Sequence, residues 1–358
     1  MNGAPGSPPE PLRLGVVGCG RVFQRYHLPG VKRSGAWQLV AACDDSEQRL
    51  EWVQESVPGL SVFESFPELL ESSGLDAVLI TTPPESHHEL AVQALGKGLH
   101  VLVEKPMALG PSEGLSMLDE SLRAQKLLWV GFTKRFRQPY MDLKRRLALV
   151  PTDEIRDIRF LCHGDHRTPF TRYLGDDARG GGVLDDLASH QIDLLAWLIG
   201  QPVKEVRARP LSKTEDESIC ARYELRFEND MVAYCEAVRN QAYLEMLHVG
   251  LQGRTVTAHA TGIFESHRVP PKWISSYCKI RASAHFALGK LTQRPSVTAH
   301  SFETQLRCFA AAIRNEKPPI VGADGRCGVR VLETIRACRD SLRSGGAWKS
   351  LLDGGRIA

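Results

Sequence analysis

Between Leu12 and Phe132, short apolar runs alternate with longer amphipathic ones, and the first apolar run ends in a pair of glycines. Few folds accept that combination. Leu12–Val17, Trp37–Cys43, Asp76–Ile80, His100–Val103 and Leu127–Phe132 read as strands. Arg21–Lys32, Glu47–Glu55, Glu85–Lys97 and a segment opening at Pro111 read as the helices between them. Strands separated by helices pair in parallel, with helices covering both faces of the sheet. Such sheets bind ligands at the carboxyl ends of their strands.

Gly18-Cys19-Gly20 occupies that edge. Glycine takes a positive φ without steric cost and lets a phosphate approach the backbone. The helix opening at Arg21 and Val22 offers free N–H groups and a positive dipole end to a pyrophosphate. A lone Gly-x-Gly says little. Between a strand and a helix, at the head of this alternation, it marks a dinucleotide-binding Rossmann domain over residues 12–132. Phe23 stands where a small residue usually allows close helix–sheet packing, which leaves the local helix angle open. Asp44 and Asp45 end the second strand. An acid there accepts hydrogen bonds from ribose hydroxyls and repels a 2′-phosphate, favouring NAD over NADP. Arg49 keeps NADP as the alternative. The same acids would also serve as a solvated turn or a helix cap.

Two further features carry chemistry. Val101–Val103 runs into Glu104-Lys105-Pro106, which places a lysine at the carboxyl end of a central strand and lets Pro106 take the chain out of the sheet. Such a lysine serves as a proton donor or a clamp on an alcohol oxygen; the plainer reading is a surface lysine. After Gly180-Gly181-Gly182 comes a helix over Val183–Ile199 that is too apolar to lie on a surface. Asp186, His190 and Asp193 are spaced to share one of its faces. His190 could move a hydroxyl proton while Asp186 orients it or grips a neighbouring hydroxyl; alternatively they form a structural pair.

The second part of the chain has a different rhythm. Ile155–Cys162, Val203–Ala208, Ser218–Phe227, Met231–Val238, Leu244–Leu251 and Thr255–His259 read as strands with few helices between them, hence a mostly antiparallel sheet. Asn229 and Asp230 mark a hairpin turn. Phe302–Arg314 and Gly328–Ser344 read as helices, and Glu265–Pro295 gives no clear pattern. The expected fold is therefore α/β: a Rossmann domain, then an α+β domain with a large, mostly antiparallel open sheet over 133–358. Residues 1–11 are Gly/Pro-rich, without the apolar stretch of a signal peptide, and read as a disordered leader. A net charge of +3 on 358 residues argues against a nucleic-acid binder, and no run suits a membrane span. Nine scattered cysteines without a Cys-x-x-Cys pattern suit a reducing cytoplasm. His163 with His166, and His87 with His88, lack companions at metal-ligand spacing, so no metal is expected. Serine-hydrolase chemistry lacks a nucleophile elbow.

The segments GCGRVFQRYHLPGV, LVAACDD, TTPPESHHELAVQALGKGLHVLVEKP, GFTKRFRQPY, GGGVLDDLASHQIDLLAWLIG and PPIVGADG occur in an order that resembles the glucose–fructose oxidoreductase / inositol dehydrogenase / MocA family over nearly the whole chain. The resemblance implies that Lys105 contacts nicotinamide and substrate and that Asp186 and His190 complete the catalytic set, with His190 as acid/base. Thr82 and Pro83 match the segment beside the nicotinamide, His87 the histidine that follows it, and Glu104 the residue before the lysine. Lys134-Arg135-Phe136 matches a segment reaching the substrate, with Thr133 where Asn is common. Arg172 and Tyr173 are candidate substrate contacts by position, and Asp185 replaces a more usual apolar residue. The implied activity is NAD(P)-dependent hydride transfer on a ring carbinol of a sugar or cyclitol, in a homodimer or homotetramer joined through the second sheet. An NAD-dependent glycosidase and a non-catalytic cofactor sensor are the rival readings.

Overall fold

The computed structural model describes residues 9–71, 74–164, 182–211, 220–239, 243–259, 262–266, 297–318, 320 and 322–351. β1 (Leu12–Val17), β2 (Trp37–Cys43), β3 (Ser61–Phe63), β4 (Ala77–Ile80), β5 (His100–Val103) and β6 (Leu128–Val130) pair in parallel in the order β6-β5-β4-β1-β2-β3. All four residues of β4 are fully buried. This explains its unbroken apolar sequence, since a central strand covered on both faces has no polar side to alternate with. The covering helices are α1 (Leu28–Ser34), α2 (Glu47–Ser56), α3 (Phe66–Leu70), α4 (His87–Gly96) and α5 (Pro111–Ala124). β3 and α3 escape the sequence reading because elements this short carry no readable period.

The helix after the glycine loop does not start as an ordinary α-helix. Phe23 is fully buried and heads a π turn, Phe23–His27, that runs into α1. The bulky side chain at the third fingerprint position thus lies beneath a widened turn.

After α6 (Gln138–Leu147), the second sheet gathers β7 (Ile155–His163), β8 (Val203–Arg209), β9 (Cys220–Phe227), β10 (Val232–Val238), β11 (Leu244–Leu251), β12 (Arg254–His259) and β13 (Gly262–Ser266). The order is β13-β12-β11-β7-β10-β9-β8, with β7 and β10 parallel and the other pairs antiparallel. Asp230 takes a φ of 61° in the β9–β10 hairpin, whose turn closes through Phe227 N–H to Met231 O at 2.9 Å. One face of the sheet receives α7 (Ser189–Ile199), which is anchored by Gln191 Nε2 donating to Phe160 O at 2.8 Å.

The chain then returns to its beginning. Helix α8 (Val297–Ile313) packs on α1, and Trp37 Nε1 donates to Leu306 O at 2.8 Å. The Phe309 ring lies 5.6 Å from that of Trp37 and 5.3 Å from that of Trp129. β14 (Ala323–Asp324) adds an antiparallel edge to β6, making the first sheet seven-stranded. The first sheet thus completes its apolar face with residues from the far end of the chain, which lie beyond the division expected at residue 133. Helix α9 (Gly325–Arg343) goes back to the second sheet, and β15 (Lys349–Ser350) pairs with β8. Among the described residues no helix is long and apolar enough to cross a membrane.

Candidate active site

The carboxyl edge of the parallel sheet carries the glycine loop. Gly18 has φ +89°, and a Cβ there would lie 2.7 Å from Thr82 N, so the site excludes any side chain. Its carbonyl accepts from the Thr81 hydroxyl, and its N–H donates to Cys43 O at 2.8 Å, which clamps the loop between β2 and β4. Gly20 is the opposite case. A Cβ there would meet nothing within 4 Å, leaving open space against bare backbone. That is the cradle a pyrophosphate requires. Arg21 is exposed and Val22 half-buried as the helix opens.

Asp44 is buried at the end of β2. It accepts from Cys19 N–H at 2.6 Å, from Ser46 N–H at 3.0 Å and from Arg49 Nη1 at 3.3 Å. Burial raises its carboxyl above the usual range, while the two N–H groups pull it back. It thereby ties the glycine loop to the second strand. The Asp45 side chain is 95% exposed.

Thr82 and Pro83 lie beyond β4, half-buried. Behind them His87 is buried, with Nε2 at 2.9 Å from Thr82 O and Nδ1 at 2.8 Å from Pro106 O. It links the Thr82 segment to the chain just past Lys105. Glu104 meets His27 Nε2 at 2.7 Å and accepts from Lys105 N–H at 3.1 Å. Burial would raise its carboxyl, yet the His27 partner holds it below the ordinary range.

Lys105 leaves the end of β5 and reaches the second domain. Its Nζ donates to Asp186 Oδ1 at 2.5 Å and to Asp186 O at 3.1 Å. Asp186 Oδ2 accepts from Arg239 Nη2 at 3.0 Å. Against the opposing effect of burial, these two cations hold the Asp186 carboxyl far below its usual range. Asp186 sits in a π turn, Leu184–Ala188, that precedes α7. The wider turn breaks the regular α-helical spacing from which a common face was inferred. Both Asp186 oxygens go to Lys105 and Arg239, so the expectation that Asp186 orients the His190 imidazole differs from the geometry. His190 Nδ1 is buried without a hydrogen-bond partner among the described residues, and its ring meets Phe132 edge-on at 6.0 Å. Burial, then Lys105, Lys134 and Arg137, push its basicity well down.

Arg135 requires a correction. Expected at the substrate, it is buried and holds Asp193 with two bonds, at 2.8 and 2.6 Å. A guanidinium committed to a buried carboxylate is not offered to a ligand. Asp193 is likewise spent there. Asp185, the acid in an apolar position, is buried against Arg339 of α9. Arg172 and Tyr173 lie outside the described residues.

Sequence reasoning missed a second polar cluster. Glu245 of β11 accepts from Lys134 Nζ, Arg137 Nη1 and Tyr140 Oη, each at 2.6 Å. Opposing its burial, Arg137 and Lys134 hold it far below the usual carboxylate range. The available signal was a lone acid inside the apolar strand Leu244–Leu251. Arg239 was missed too, at the end of a strand whose last residues are apolar.

This edge, glycine-lined on one side and cationic on the other, lies where a dinucleotide-binding domain meets an open-sheet domain. The family model for an oxidoreductase family with an NAD-binding Rossmann fold matches residues 12–132, and that for the GFO/IDH/MocA C-terminal domain matches residues 153–261. The chain belongs to the GFO/IDH/MocA family, and its first domain is an NAD-binding Rossmann fold. It is similar to a D-glucoside 3-dehydrogenase of Escherichia coli, 28% identical over 60% of this chain and 62% of that protein. It is also similar to an inositol 2-dehydrogenase of Leifsonia xyli, 25% identical over 85% of each chain. Its fold matches the WlbA dehydrogenase from Bordetella pertussis, solved with NADH and UDP-GlcNAcA, at a TM-score of 0.75 and 21% identity over 96% of this chain and 98% of that one. The match thus spans less than two thirds of the E. coli relative and most of the Leifsonia one.

Proposed function

We propose that the protein transfers a hydride between a ring carbinol or ketone of a sugar, sugar derivative or cyclitol and NAD. The chemistry NAD supplies when bound is acceptance or return of that hydride at its nicotinamide. One observation carries the reading: Lys105, at the carboxyl edge of the NAD-binding sheet, is ion-paired at 2.5 Å to Asp186 of the second domain. A reactive ammonium is thereby held where cofactor edge and second domain meet. The names of the relatives support a polyol substrate.

Each residue then has a task. Gly18 and Gly20, with Arg21 and Val22 at the helix start, hold the pyrophosphate. Asp44 faces the adenosine ribose while it ties the loop to β2. Thr82 and Pro83 border the nicotinamide, with His87 fixing them to the Lys105 segment. Lys105 and His190 attend the reacting oxygen, and Asp186 holds Lys105 in place. Glu104 supports this from behind, through His27.

The test is a screen for NADH formation across inositols, free sugars and nucleotide-linked sugars. Lys105→Ala and His190→Ala are each expected to lose turnover, Lys105→Ala by at least about 100-fold, while NAD binding measured by calorimetry is retained. Wild-type rates in Lys105→Ala, or no NADH from any of these classes, would remove the reading.

A further inference from the structure

The division of labour between Lys105 and His190 is written in the hydrogen bonds around them. Asp186 gives Oδ1 to Lys105 and Oδ2 to Arg239. Asp186 thus has no carboxylate oxygen left for His190 Nδ1, which is buried and has no hydrogen-bond partner among the described residues. A buried N–H without an acceptor loses its hydration with nothing in return, and unmet acceptors are tolerated more readily than orphaned donors. The proton of a neutral imidazole therefore belongs on Nε2, leaving Nδ1 as a bare lone pair. An imidazolium would be worse, because it must carry the orphaned Nδ1–H as well.

The charges around the ring point the same way. Lys105 from the β5 end, Lys134 after β6 and Arg137 at the start of α6 all oppose a positive ring, against Asp186, which favours it. The neighbouring carboxylates are already matched: Asp186 by Lys105 and Arg239, Glu245 by Lys134 and Arg137. The Cys162 thiol of β7, between the two clusters, is pushed up by burial and stays neutral.

We propose that Lys105 exchanges the proton of the reacting oxygen, that His190 stays neutral and donates its Nε2–H to that oxygen, and that Arg239 is the positioning residue that keeps Asp186 on Lys105. The proposal rests on the hydride-transfer reading. In the reducing direction, bound reduced NAD would supply the hydride of the new C–H bond. The C=O π pair becomes an O–H bond with a proton from the Lys105 ammonium, leaving a neutral amine. The Lys105 side chain is 18% exposed, so water can recharge it. In the oxidising direction the neutral amine takes the hydroxyl proton as the hydride leaves. Asp186 compensates the ammonium form in both directions.

A substrate-free measurement separates this from the reading it rests on. NAD-bound protein with ¹⁵N-labelled histidine rings is followed by long-range proton–nitrogen correlation spectra from about pH 5 to about pH 8. The His190 signals are those absent in His190→Gln. They are expected to show a protonated Nε2, a bare Nδ1 and no titration, and to begin titrating in Arg239→Met, where Asp186 Oδ2 is released. A wild-type His190 that titrates in this window, carries its proton on Nδ1, or stays unchanged in Arg239→Met overturns the proposal. With the substrate from the screen, His190→Gln keeps an N–H donor and should fall less than about tenfold in kcat, with its pH profile unmoved, against about 100-fold or more for His190→Ala. Equal losses in the two variants also overturn it.

Discussion

Gly18 and Gly20 look alike in the sequence and differ in what surrounds them. A side chain at Gly18 collides with the backbone of Thr81 and Thr82, whereas one at Gly20 enters open space. Gly18→Ala is therefore expected to lower the melting temperature and Gly20→Ala to leave it nearly unchanged. NAD affinity, read by calorimetry, should fall for Gly20→Ala, because the added methyl occupies the space a phosphate needs. His100 supplies a pH prediction. Its Nδ1 accepts from Leu127 N–H at 3.0 Å, and burial, reinforced by Lys126, pushes it down from 6.5 to about 4. The unfolded chain then binds more protons than the folded one between those values. Stability should decline as pH falls from about 6.5 to about 4 and level off below. His100→Asn retains an acceptor for Leu127 N–H and is expected to flatten that slope in thermal melts followed by circular dichroism.

At the scale of elements, π turns stand at both halves of the site, Phe23–His27 beside the glycine loop and Leu184–Ala188 around Asp186. Both segments were legible as helices. Neither π turn was, since a single widened turn hides within an amphipathic pattern and its consequence lies in which partners each side chain reaches. Asp186, His190 and Asp193 illustrate this: one keeps Lys105, one is left with an unpartnered nitrogen, one is buried on Arg135. Asp185 tests the same turn. Arg339→Leu removes one ion-pair partner of its buried carboxylate and is expected to lower stability in urea unfolding, while Asp185→Leu with Arg339→Leu recovers most of the loss.

In the whole molecule, α8 ties the end of the chain to its beginning. Phe309 is fully buried between the rings of Trp37 and Trp129. Phe309→Ala is expected to cost about 3–5 kcal/mol by leaving a cavity under the first sheet. Residues 1–132 alone lack α8 and β14, and should not show the cooperative melting of the full chain in calorimetry. What the sequence determined by itself was local: strand and helix rhythm, a turn only glycine can make, and a lysine at a strand end. These follow from short-range sterics and periodicity, which neighbouring residues express directly. Tertiary structure decided the pairings: Lys105 with Asp186, Arg239 with the same carboxylate, Arg135 away from the substrate, Glu245 among Lys134, Arg137 and Tyr140, and α8 on the first sheet. A charged side chain taken from water must find a partner wherever the fold brings one, and that partner can lie over a hundred residues away, as Glu245 does from Lys134. No local pattern records such a distance.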